Sequence, residues 1–156
     1  ARERVIKLAL IDTSSRPDTE DSTAIRRRRI ALAKGGKFGA VIEQSFPNSV
    51  HPDNQGSSDL YSIHRAMAEA NGAEAYMRQQ EAIIARPDSR GELGAISVPT
   101  LVLVGESDQI TPPEVARETA DGISGSRLVI VPRAGHLALL EQPMAVNRAL
   151  TEWAAI

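Results

Sequence analysis

The chain contains no cysteine. A disulfide framework, a thiolate nucleophile and a cysteine metal site are therefore excluded. Aromatic residues make up only 3% of the sequence, so any core is built from aliphatic side chains. Neither sign of charge dominates: 18 Lys and Arg stand against 20 Asp and Glu, a formal net charge of −2. That balance gives no pull toward nucleic acid or an anionic membrane. No apolar run approaches the roughly 20 residues that span a bilayer. The opening ARERVIKLAL shows no signal-peptide core with a cleavage site. The expectation is a cytoplasmic protein without nucleic-acid or membrane partners. What is abundant is aliphatic: 42% of the 156 residues are hydrophobic, enough for one domain with a real core.

The most informative stretch runs from Ile96 to Pro143. Two short β-branched-rich runs, Thr100–Val104 and Leu128–Val131, read as strands buried on both faces. Between them, Pro112 and Pro113 open a helical pattern with Val115, Ala116, Thr119, Ala120 and Ile123 on its apolar side. A strand–helix–strand unit makes the two strands parallel. In such sheets ligand chemistry collects beyond the carboxyl ends of the strands. Asp108 follows the first strand and His136 the second. A carboxylate can fix the tautomer of an imidazole and steady its cation, leaving the other ring nitrogen free to take a proton from a nucleophile. Gly135 allows a tight turn before His136. Either residue alone would read as helix-capping or turn chemistry. Together, at the ends of adjacent parallel strands, they read as a catalytic pair.

GESDQITPP followed by PRAGHLALLEQP resembles the C-terminal third of the α/β-hydrolase fold family. The usual pattern there is an apolar strand, G-x-x-D-x-x-x-P, then G-x-G-H or a variant, then E-x-P. This chain has Gly105, Asp108 and Pro112, then Ala134-Gly135-His136, Glu141 and Pro143. Arg133 stands where many members have glycine. The resemblance covers about the last sixty residues and implies Asp108 as triad acid and His136 as triad base. It also likens ERVxxLxLIDT near the start to the sixth sheet strand of the family. Val5–Asp12 is then a strand, Arg2, Glu3 and Arg4 lead out of a preceding helix, and the chain starts inside the domain. Some members carry the acid at this earlier strand end, so Asp12 is the alternative acid. An Asp before Thr and Ser also commonly binds loop amides.

Between these parts lies a helical block. Thr19–Lys34 reads as a helix capped by Asp21 or Ser22 and stopped at Gly35-Gly36. Its Arg26–Arg29 run points round most of a helix and forms no single basic stripe. Phe38–Ser45 reads as a short helix and residues 46–56 as a loop. Ser57–Asn71 and Ala73–Arg86 read as two more helices, the first with Leu60, Ile63, Met67 and His64 along one side. Ser89–Ala95 reads as a short turn or helix. The family inserts a cap here, which implies a core of 1–18 and 96–156 and a cap of 19–95. Phe38, Phe46, Met67, Tyr76 and Met77 are candidates for the substrate pocket, or for the cap's own core. His51 and His64 have no metal-motif spacing with Asp53 or Asp59, so no metal site is expected. Pro143–Ile156 closes the chain as a helix, with Trp153 packing it onto the sheet.

The family's nucleophile is a serine in G-x-S-x-G, and that pattern is absent from the sequence. The nearest string, Gly122-Ile123-Ser124-Gly125-Ser126, falls in the loop at the opposite rim. The fold class expected is therefore α/β: the C-terminal part of an α/β-hydrolase fold, three parallel strands with a helical cap between the first two. The resemblance implies a serine hydrolase acting on a small-molecule ester, lactone or thioester, with no metal or organic cofactor. The serine and oxyanion hole would come from an upstream half of the same fold, and this chain alone would be inactive. An upstream Asp would instead imply a dehalogenase or epoxide hydrolase. A serine with a different pocket could cleave carbon–carbon bonds or support cofactor-free peroxidation. The fold also hosts non-catalytic binding proteins.

Overall fold

A computed structural model describes residues 4–155 of the chain. Arg2 and Glu3, the expected end of a preceding helix, lie outside the described residues, as does Ile156. Three strands, β1 (Leu8–Ile11), β2 (Thr100–Gly105) and β3 (Arg127–Val131), form one parallel sheet in that order. Leu8 pairs with Thr100 and Leu101 with Arg127, which brings all three carboxyl ends to one rim. The expected strand Val5–Asp12 shortens to four residues. Ahead of it, Val5 and Ile6 are exposed.

The central strand is buried throughout. Its alternate side chains enter two separate clusters, as a pleated strand requires. Leu101 and Leu103 face α6 (Pro143–Ala154), meeting Val146, Ala149 and Trp153. Val102 and Val104 face α4 (Pro113–Asp121), meeting Ala116 and Ala120. The five apolar positions read for α4 are all buried. Trp153 packs into the sheet cluster as expected, and its indole N–H donates to the Pro99 carbonyl at 3.2 Å. Burial on both faces does not extend to β3. Arg127 is exposed, and only Val131 is fully buried, because β3 is an edge strand.

Residues between β1 and β2 form a helical insertion. It comprises α1 (Glu20–Lys34), α2 (Phe38–Ser49) and α3 (Ser58–Ile84), with a short 3₁₀ turn at Pro52–Asn54 and another at Arg90–Ala95. Thr19, rather than Asp21 or Ser22, caps α1: its hydroxyl accepts from the Ser22 amide at 3.2 Å. The helix expected to end at Ser45 continues through Pro47 to Ser49, so the expected loop is mostly structured. A proline so close to the helix end forfeits one backbone bond without breaking the turn. The two helices read at 57–71 and 73–86 are present as one element broken at Gly72, where φ is 78° and ψ 164°. The expected apolar side is only partly the buried one. Leu60 and His64 turn inward as expected, joined by Tyr61 and Ala68, whereas Ile63 and Met67 are 43% and 44% exposed. Arg26 is not merely solvated: it pairs with Asp18 and donates to Gln80 at 2.9 Å, tying α1 to α3. Among the described residues, no helix is long and apolar enough to cross a membrane.

The last short helix, α5 (Ala138–Glu141), follows β3 and leads into α6.

Candidate active site

Asp108 and His136 meet at the rim where β2 and β3 end. His136 Nδ1 lies 2.8 Å from Asp108 Oδ2. The Asp108 side chain is fully buried, whereas the imidazole is 28% exposed. An ionised carboxylate can only accept, so Nδ1 carries the proton in this contact. Nε2 makes no hydrogen bond among the described residues.

Asp108 is held by more than its histidine. Its Oδ1 accepts from the amides of Ile110 at 2.8 Å and Thr111 at 2.9 Å. Its Oδ2 also accepts from the Thr111 hydroxyl at 2.8 Å. Helix α4 is instead entered through Pro112, with no side-chain cap, so Asp108 does not serve as its capping residue. Burial alone would raise the Asp108 carboxyl. The His136 hydrogen bond and charge, with the Thr111 donors, outweigh it and hold the group below the usual carboxylate range. For His136, burial alone would lower the imidazole. Its bond to Asp108 and the charges of Asp108 and Asp12 outweigh that and hold it above its ordinary value of 6.5.

Asp12 ends β1 at the same rim, with φ at 45°. Its Oδ1 accepts from the Gly105 amide of β2 at 3.1 Å, not from the Thr13–Ser15 loop amides considered from the sequence. Its Oδ2 is buried without a partner among the described residues. Burial pushes this carboxyl up to about 7; the Gly105 amide opposes the rise, and the nearby Asp108 charge adds to it. No hydrogen bond links Asp12 to His136 among the described residues, so the geometry pairs the imidazole with Asp108.

The loop before His136 is packed backbone on backbone. A Cβ on Gly105 would overlap the Gly135 carbonyl oxygen and stand 2.6 Å from that of Ala134. A Cβ on Gly135 would stand 2.5 Å from the Val50 carbonyl carbon at the end of α2. Gly135 is thus required by close approach rather than by the tight turn expected. Two residues earlier, Arg133 adopts φ 54°, a left-handed pose that a non-glycine residue takes at some cost. That pose fits its departure from a position where glycine is common.

Of the pocket candidates, Phe38, Met67 and Tyr76 line a cavity of about 230 Å³ between α2 and α3, with His64 and Ser45. Phe46 and Met77 lie outside that lining. Phe46 is instead core: it is 4% exposed and sits edge-on to Tyr61 at 5.3 Å. His64 Nε2 lies 3.1 Å from the Ser45 hydroxyl, and burial lowers its pKa. His51 Nδ1 accepts from the Asp53 amide at 3.2 Å. Thr111 escaped the sequence reading as a site residue. The signal was available, since a hydroxyl three residues beyond an Asp can close a local side-chain turn.

The parallel sheet, the strand-end pair and the inserted helices place the chain in the α/β-hydrolase fold family, and they match the C-terminal part of that fold. A family model described as TAP-like protein matches residues 82–154. An esterase structure from Thermogutta terrifontis superposes with a TM-score of 0.90 at 34% identity, covering 99% of this chain and 57% of its own. The enol-lactonase of Burkholderia xenovorans superposes with a TM-score of 0.87 at 25% identity, over 99% of this chain and 58% of its own. A pimeloyl-[acyl-carrier protein] methyl ester esterase of Neisseria meningitidis is 40% identical over 68 residues, 42% of this chain and 27% of that protein. The chain therefore spans little more than half the length of these solved structures.

Proposed function

We propose that this chain supplies the acid and base of a Ser-His-Asp triad to a serine hydrolase acting on a small ester, lactone or thioester. The reading rests above all on the 2.8 Å contact between His136 and a buried Asp108 that accepts three further hydrogen bonds. The esterase and enol-lactonase among its structural relatives support the substrate class. A serine in the preceding part of the same fold provides the hydroxyl, and the helical insertion serves as the cap over the rim.

His136 Nε2 takes the serine proton as the hydroxyl attacks the acyl carbon. The proton then passes to the departing alkoxide or thiolate, leaving an acyl-enzyme. Water attacks that ester with His136 again as base, and the acid is released as the serine regains its proton. Asp108 holds the ring in the tautomer that leaves Nε2 unprotonated and stabilises the imidazolium formed in each half-reaction. Because the His136 pKa is raised, activity falls as pH drops through a value above 6.5.

The test is His136→Ala in the complete protein, assayed with p-nitrophenyl butyrate. Turnover is expected to fall by about 10³-fold or more with the fold retained. Near-normal turnover would refute the assignment.

A further inference from the structure

The connection between α2 and α3 sits directly on the loop that carries His136. The Leu137 amide donates to the Ser49 carbonyl at 2.9 Å. Val50 is fully buried against Gly135. The chief fastener is Glu141, at the end of α5. Its Oε2 accepts from the Gly135 amide at 2.6 Å, one residue before the imidazole. Its Oε1 accepts from the His51 amide at 2.6 Å and the Asn54 side-chain amide at 2.9 Å. Every hydrogen-bonding partner is a neutral N–H, and among the described residues no cation pairs with this carboxylate. A partly buried carboxylate satisfied only by backbone and amide donors is a short, strong, directional fastener.

We propose that Glu141 is a positioning residue that locks the α2–α3 connection to the His136 loop, so that the imidazole's place against Asp108 depends on how the helical insertion is seated. The inference rests on the triad reading above. One oxygen of Glu141 holds the base loop and the other holds the insertion. A shift of residues 50–54 therefore pulls on Gly135, and Gly135 carries His136. The insertion and the base form one mechanical unit.

The first variant is Glu141→Gln in the complete protein. An amide has a single acceptor oxygen, so it cannot serve both the Gly135 and His51 amides. The expected result is a fall in kcat of about tenfold to a hundredfold with KM nearly unchanged. The downfield NMR resonance of the His136 Nδ1 proton should broaden or move upfield. The second variant is Asn54→Ala. It deletes the side-chain donor to Oε1 and leaves the carboxylate and both backbone amide donors in place. It should lower kcat several-fold in the same direction, and it carries the test if Glu141→Gln does not fold. A folded variant with unchanged kcat and an unchanged Nδ1 resonance overturns the proposal. The resonance also separates the two readings. If His136→Ala stays active, the triad reading fails, while the coupling of Glu141 to the imidazole is still read from the proton signal.

Discussion

Two aspartates end neighbouring strands at the same rim, and their surroundings give them opposite characters. Asp108 receives four hydrogen bonds, from His136, Ile110 and both donors of Thr111. Asp12 receives one, from Gly105, and its second oxygen is buried without a partner among the described residues. Both are withdrawn from water. The first is held ionised below the usual carboxylate range, and the second is raised to about 7. Position at a strand end therefore does not make an acid fit to orient a histidine. The number and direction of donors around it do.

Under the proposed triad the contrast is sharpest in turnover. Asp108→Asn should lower turnover of the complete protein by about 10⁴-fold, since an amide no longer stabilises the imidazolium or fixes its tautomer. Asp12→Asn should cost less than about tenfold in the same assay. Comparable losses from the two variants would break the comparison.

Stability supplies the next largest difference. In the unfolded chain Asp12 ionises near 3.8, whereas in the fold it holds its proton to about 7. Between those values the folded state binds more protons, so this group's contribution to stability declines as pH rises. Asp12→Asn should remove that slope, gaining on the order of 3 kcal/mol at pH 8 relative to pH 4 in urea unfolding. Asp108 has the reverse sign: its contribution is present above the ordinary carboxylate value and is lost as pH falls through its depressed one. Equal pH slopes for the parent and Asp12→Asn would show that Asp12 does not hold its proton to about 7 in the fold.

A smaller effect tests how far Thr111 maintains Asp108. Thr111→Val keeps the shape and the backbone amide but removes the hydroxyl that donates to Oδ2. The expected loss in kcat/KM is about tenfold. The acidic limb of the pH profile should also move. Asp108 and Asp12 both raise His136, so Asp108→Asn shifts the limb to lower pH, and Asp12→Asn shifts it in the same direction by less. A limb that stays fixed in Asp108→Asn would show that His136 does not set it.

The sheet and α4 were legible because their signals are local. A short β-branched run bounded by turns, and an apolar stripe at helical spacing behind Pro113, need no tertiary information. The pairing of Asp108 with His136 was legible for a related reason, since parallel topology brings consecutive strand ends together. The unpartnered oxygen of Asp12 could not be read, because burial without a partner is a property of the packed fold. The fastening of His51 by Glu141 was equally hidden, since it joins two segments 90 residues apart in sequence. The extension of α2 beyond Ser45 was obscured by Pro47, whose local preference was overridden by packing that buries Phe46, Ser49 and Val50.

Glycines at 105 and 135 let three distant segments lie main chain against main chain: the end of β2, the turn before His136 and the exit of α2. No rotamer intervenes in that stack, so ordinary side-chain jostling has little leverage on the spacing between them. Outside the two glycines and the Glu141 that ties the stack together, point substitutions would alter what enters the site well before they altered its frame.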